Sequence, residues 1–224
     1  MPRLAALGAL AAAVAAAVWV VLEPADSGLP LLLAAVGLLV AGAAWLETGP
    51  DAAKEIVLVA TLAAVAAAGR VLFVAIPGVQ PVTVITVAAG AALGPRAGFA
   101  TGALAALSSN FFLGQGPWTP WQMLGWGACG LAGSALAPLI HRRVSFAAVC
   151  FVLGFAFSAL MDLWLWVTFW PHTWQALTVV FGQGLSFQAA HAIGNVVIAL
   201  AIGPELLRLL ERYSRRLRTE VVWA

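Results

Sequence analysis

The sequence predicts an all-α polytopic membrane protein, and three observations lead there. Hydrophobic residues make up 63% of the 224-residue chain and charged residues 9%, with a mean hydropathy of +1.00; there is too little polar surface to face water on all sides. The apolar residues come in Ala/Leu/Val/Gly runs of helical length, not in alternating ten-residue strands. In hydrocarbon every backbone polar group must be paired within the chain, so such runs settle as helices. Finally, the basic residues collect between alternate runs, as they do in multi-pass proteins.

Residues 4–22, behind Arg3, form a first apolar run, and residues 28–46 a second. The first is longer than the apolar core of a signal peptide and no clean small-x-small cleavage site follows, so it reads as a retained anchor. Residues 1–50 are therefore expected to be a two-helix hairpin, closed by the polar break Thr-Gly-Pro-Asp-Ala-Ala-Lys-Glu over residues 48–55. Six further spans are expected within a core of residues 51–205: 56–76, 82–93, 97–113, 123–140, 144–169 and 184–202. The 82–93 segment is short for a span, yet it has to cross, because its removal would invert everything after it. With both termini cytoplasmic, all of the 11 Lys and Arg residues except Arg70 fall inside, which is the expected bias. Residues 206–224, with Arg208, Arg212, Arg215, Arg216 and Arg218 among leucines, form a basic amphipathic cytoplasmic tail suited to anionic lipid, not to nucleic acid. Cys129 and Cys150 lie in apolar runs without zinc or redox spacing and read as packing residues.

The chain is organised around residues 110–122, Asn-Phe-Phe-Leu-Gly-Gln-Gly-Pro-Trp-Thr-Pro-Trp-Gln. Two glycine and two proline positions break the helix there, while Trp118, Trp121, Asn110, Gln115 and Gln122 concentrate where headgroups lie. The segment is either a solute-binding gate or a Trp-anchored interfacial loop. Ionisable and amide groups inside spans are functional candidates by default. Asp162 stands in the outer half of its span, and Arg70 is the nearest available cation by depth, so an ion pair between them is the simplest neutralisation. Gln188, His191 and Asn195, at i, i+3 and i+7, share one helical face that must avoid lipid. Interhelical hydrogen bonding explains that face as well as a binding site does. The Gly125-x-Gly127-x-x-Gly130-x-x-Gly133 series has no strand before it and reads as close helix packing, not a dinucleotide site. No Walker loop and no hydrolytic constellation is present, so the chain is not expected to be an enzyme or to need a cofactor. Ala60, Ala64 and Ala68 make an AxxxAxxxA stripe that permits a tight helix crossing.

Residues 52–212 resemble the substrate-specific S component of energy-coupling factor (ECF) vitamin transporters. The resemblance rests on the six spans, the AxxxA stripe, the Leu-Gly-Pro-Arg-Ala-Gly-Phe-Ala-Thr-Gly turn at 93–102, the Gly-Gln-Gly-Pro-Trp-Thr-Pro-Trp loop, and the last span from His191 to Pro204. It implies a six-helix bundle in a bacterial plasma membrane that captures a vitamin or precursor from outside, cobalamin-like or thiamin-precursor-like. It also implies delivery with a transmembrane coupling subunit and two ATPase subunits. Ala60, Ala64 and Ala68 would then meet the coupling subunit. Arg70, Asn110, Gln115, Trp118, Trp121, Gln122, Asp162, Gln188, His191 and Asn195 would line the solute site. The N-terminal hairpin departs from the minimal six-span pattern. The rival readings are a stand-alone secondary transporter, against which the lack of a clear inverted repeat counts, and a non-transporting membrane scaffold.

Overall fold

Proline and glycine set the helix boundaries in this computed structural model, which describes residues 52–217 and isolated helical positions between 29 and 44. The hairpin expected over residues 1–50 lies largely outside the described residues. From residue 52 onward the chain forms six α-helices and one 3-10 turn: α1 (Ala52–Leu72), α2 (Val82–Leu93), α3 (Pro95–Leu113), α4 (Thr119–Ala135), the 3-10 turn (Ala137–Leu139), α5 (Arg143–Phe169) and α6 (Trp174–Leu217). Among the described residues there is no strand. α2 begins directly after Pro81 and stops at Gly94, whose φ of 102° closes the last turn with an N–H bond to the Gly90 carbonyl. Pro95 then opens α3 at a position where a missing N–H costs nothing. Gly114, at φ 104°, ends α3 in the same way. α5 stops at the extended Trp170 because Pro171 follows.

Among the described residues, three helical stretches are long and apolar enough to cross a membrane: Lys54–Leu72, Arg143–Phe169 and Trp174–Arg216. Large apolar side chains such as Val57, Val65, Val152, Leu185 and Val197 stand exposed on them, consistent with a membrane protein. Of the six expected core spans, three are met by these stretches; α2, α3 and α4 are not among them. The 12 residues of α2 extend about 18 Å, well short of a hydrocarbon core of about 30 Å. It is instead the central strut. Nine of its residues are buried, and it touches α1, α3, α4, α5 and α6. α3 lies along α4, and α5 along α6.

α6 also differs from expectation. At 44 residues it runs about 66 Å, through Pro204 and past the expected start of a separate tail at residue 206. Leu207 and Leu210 are buried in the main core with Ile140 and Phe146, so one face of this segment packs on the bundle. The end of the bundle holding Arg96, His141, Arg143 and Arg208 is tied by ion pairs to Glu55, Glu211 and Glu205, at 2.9 to 3.9 Å. The opposite end carries the Gly-Pro-Trp loop.

The glycine series at 125–133 is packing. Gly90 of α2, Gly98 of α3 and Gly130 of α4 meet at one junction, where a Cβ on Gly98 would sit 2.8 Å from the Gly130 carbonyl oxygen. A Cβ on Gly102 would overlap the Trp126 backbone, and one on Gly133 the Val87 backbone. Three helices therefore approach to backbone contact, which only glycine allows. Cys129 and Cys150 are buried free thiols.

Candidate functional site

At the Gly-Pro-Trp end of the bundle an apolar interior gives way to a connected polar network. Its centre is Arg70, in the last turn of α1 and only 8% exposed. The guanidinium donates from Nε to Gln80 Oε1 at 2.9 Å. From Nη1 it donates to Ser109 Oγ and Asn110 Oδ1, both at 2.7 Å. Beneath it lies the face of Trp126, 4.8 Å from Cζ to ring centroid, a favourable place for a cation. Asn110 passes the network on, donating from Nδ2 to Thr119 Oγ1 at 2.9 Å and Gln122 Oε1 at 2.8 Å. Thr119 donates to Gln115 Oε1 at 2.9 Å, and Gln115 Nε2 reaches back to the Leu107 carbonyl at 3.1 Å. The loop that breaks the helix is thus fastened to α3 by its own amides.

Trp126 joins this half to α6. It stacks on Phe157 at 4.0 Å with an interplanar angle of 18° and donates from Nε1 to Thr83 Oγ1 at 3.2 Å. His191 lies 5.5 Å from Phe157, ring to ring. Its Nδ1 is 2.6 Å from the Gly78 carbonyl oxygen. A carbonyl only accepts, so Nδ1 carries the proton and Nε2 is left as an acceptor. The Thr83 hydroxyl faces that Nε2 at 3.5 Å. One helical turn towards the loop end, Gln188 donates to the Asp162 carboxylate, against which Gly184 packs.

The expected Arg70–Asp162 ion pair is not formed. Asp162 is engaged by Gln188, and among the described residues Arg70 has neutral partners only. Depth along the helix placed both groups at the same end but could not show which partners each would take. Of the other expected site residues, Asn110, Gln115 and Gln122 join the Arg70 network. Trp118 meets Trp164 edge-on at 6.3 Å, which ties the loop to α5. Trp121 is partly buried and makes no hydrogen bond or ring contact among the described residues. Asn195 is fully buried against Gly154, and neither amide atom has a partner among the described residues.

Sequence reasoning missed Gln80, Thr83, Thr119 and Trp126. Trp126 had a signal: it stands eight positions after Trp118, about 12 Å further along the helix, too deep for an interfacial belt. Two apolar grooves flank the network. One, of about 680 Å³, is lined by Ala60, Ala64 and Ala68 on α1 and by Leu104, Ser108 and Phe112 on α3. The second, of about 770 Å³, lies between the α1–α2 connection and α6. The alanine stripe is exposed.

A protein-family model described as "Family of unknown function (DUF6580)" matches residues 50–213. The chain belongs to this family. No curated protein and no solved structure matches it. The DUF6580 region opens two residues before α1 and closes in the last turns of α6, so every residue of the network and the alanine stripe lies inside it. The N-terminal 49 residues lie outside the DUF6580 match.

Proposed function

We propose that this DUF6580 protein is a solute-binding membrane subunit of the ECF S-component type. It takes a vitamin or vitamin precursor at the Gly-Pro-Trp end and delivers it with a transmembrane coupling subunit and two ATPase subunits. The observation that carries this reading is convergence. α1, the α1–α2 connection, α3, α4, α5 and α6 each send polar side chains to one end of an otherwise apolar bundle. Polar groups inside spans are costly and cluster where a solute is handled. The open alanine stripe, Ala60, Ala64 and Ala68, supports a coupling partner, since small residues let a second helix approach closely. The finer architecture belongs to the same proposal: a six-helix S-component-like bundle, an N-terminal hairpin, and cytoplasmic termini in a bacterial plasma membrane.

The test is ligand-dependent stability of the purified full chain against a panel of water-soluble vitamins and their precursors. A solute at a hundred times its dissociation constant adds about 2.7 kcal/mol. One member is expected to give a saturable rise in Tm. In Asp162→Asn, which keeps an oxygen for Gln188 but removes the charge, the solute-free Tm is expected to stay close to the parent while the rise disappears. A panel without any response would favour the scaffold reading. A response from a chain whose uptake needs no ATPase partner would favour the secondary transporter.

A further inference from the structure

Arg70 holds a positive charge that no carboxylate among the described residues pairs with. Its three hydrogen-bond partners, Gln80, Ser109 and Asn110, are neutral, as is the indole of Trp126 beneath it. Among the described residues the ion pairs all lie at the far end, on Arg96, His141, Arg143 and Arg208. Asp162, at the same end as Arg70, is held by Gln188. A guanidinium has five N–H groups. Nε and Nη1 are committed, while among the described residues Nη2 donates to no protein group. Nor is Nη2 sealed in: the fully enclosed polar atoms without partners belong to Thr86, Thr101, Ser158 and Asn195, and Arg70 is not among them. The side chain is therefore clamped on one edge, charged, and uncommitted at a single nitrogen that is not fully enclosed.

We propose that Nη2 of Arg70 receives an anionic group of the solute, a carboxylate or a phosphate. The inference rests on the solute-binding reading above and narrows it to anion-bearing cargo. The clamp explains why arginine is needed. Gln80, Ser109 and Asn110 fix the planar fork so that the open nitrogen is presented without further loss of freedom. A lysine ammonium is a single point that cannot hold those three acceptors and still offer a free edge. Charge-assisted bonds of this kind are the strong ones, and the burial of Arg70 strengthens them further. A lipid headgroup carries the same phosphate chemistry, so the test separates the two sources.

The full chain is purified in a non-ionic, phosphate-free detergent. Its Tm is followed with vitamins and precursors grouped as carboxylate-bearing, phosphate-bearing, neutral and cationic, then with inorganic phosphate alone, and then with phosphatidylglycerol. The expected result is a saturable shift confined to the anion-bearing groups and competed by millimolar inorganic phosphate. Arg70→Gln and Arg70→Lys are expected to weaken that binding by about tenfold or more. Should the variants not fold, the charge preference and phosphate competition of the parent chain decide alone. Binding of a neutral or cationic member, unaffected by phosphate, would overturn the anion inference and leave the solute-binding reading standing. A shift with phosphatidylglycerol and no solute would assign Arg70 to lipid and overturn the inference. Silence from every probe would overturn both.

Discussion

Replacing Trp126 with alanine is expected to destabilise the folded chain by about 3 to 5 kcal/mol, the range for deleting a large buried aromatic. Trp126 is fully buried and serves three neighbours at once. Its ring carries the Arg70 guanidinium on one side and stacks on Phe157 on the other, while its Nε1 donates to Thr83. Truncation removes the packing and leaves the cation over a void. Trp126→Phe restores most of the stack but not the Nε1–H, so it should recover much of the loss and remain about 1 kcal/mol below the parent. Denaturant titration of both variants in one detergent checks the order. Equal stability of parent and alanine variant would show that Trp126 does not hold the two halves of the network together.

The second large effect is expected at the glycine junction. A Cβ on Gly130 meets Gly98 backbone rather than a movable side chain, and a Cβ on Gly90 meets Gly130 backbone. Relief requires whole helices to part. Gly130→Ala is expected to cost about 1 to 3 kcal/mol, and Gly130→Leu, which drives α3 and α4 apart, to leave little folded protein. Gly182 is the matched control. It lies in α6 with nothing within 4 Å of its would-be Cβ, so Gly182→Ala should be neutral or stabilising by up to about 1 kcal/mol. Tm and the monodisperse fraction after size-exclusion chromatography read both. A Gly130→Leu chain that folds as well as the parent would mean that α2, α3 and α4 do not cross so closely.

Where sequence and structure agree, a local rule was enough. The chain breaks at Gly94 and again at Gly114, within the two stretches where Gly and Pro are expected to break helices, and the Gly-x-Gly-x-x-Gly series packs helices, because each outcome depends on the residue and its immediate chain neighbours. The shared face of Gln188, His191 and Asn195 followed from helical periodicity, yet their fates diverge: Gln188 binds Asp162, His191 binds Gly78, and Asn195 binds nothing. Periodicity fixes a face, not a partner. The same limit explains Arg70. Opposite charge at similar depth suggested Asp162, but partners are chosen by the rotation of helices about their axes, which brings Gln80, Ser109 and Asn110 closer. The buried 12-residue α2 and the 44-residue α6 show the same limit of apolar runs read singly: a run does not say whether its neighbours are lipid or protein, and α2 buries nine of its residues while the end of α6 buries Leu207 and Leu210.

The central claim is that the polar end of this DUF6580 bundle holds a small solute. Native mass spectrometry of the full chain, taken gently from its membrane into non-ionic detergent, tests it most directly. The account predicts a single bound vitamin-sized species per chain, carrying a carboxylate or phosphate and missing from Asp162→Asn and Arg70→Gln protein. A chain that carries lipid alone, unchanged by either substitution and by added solute, would contradict it.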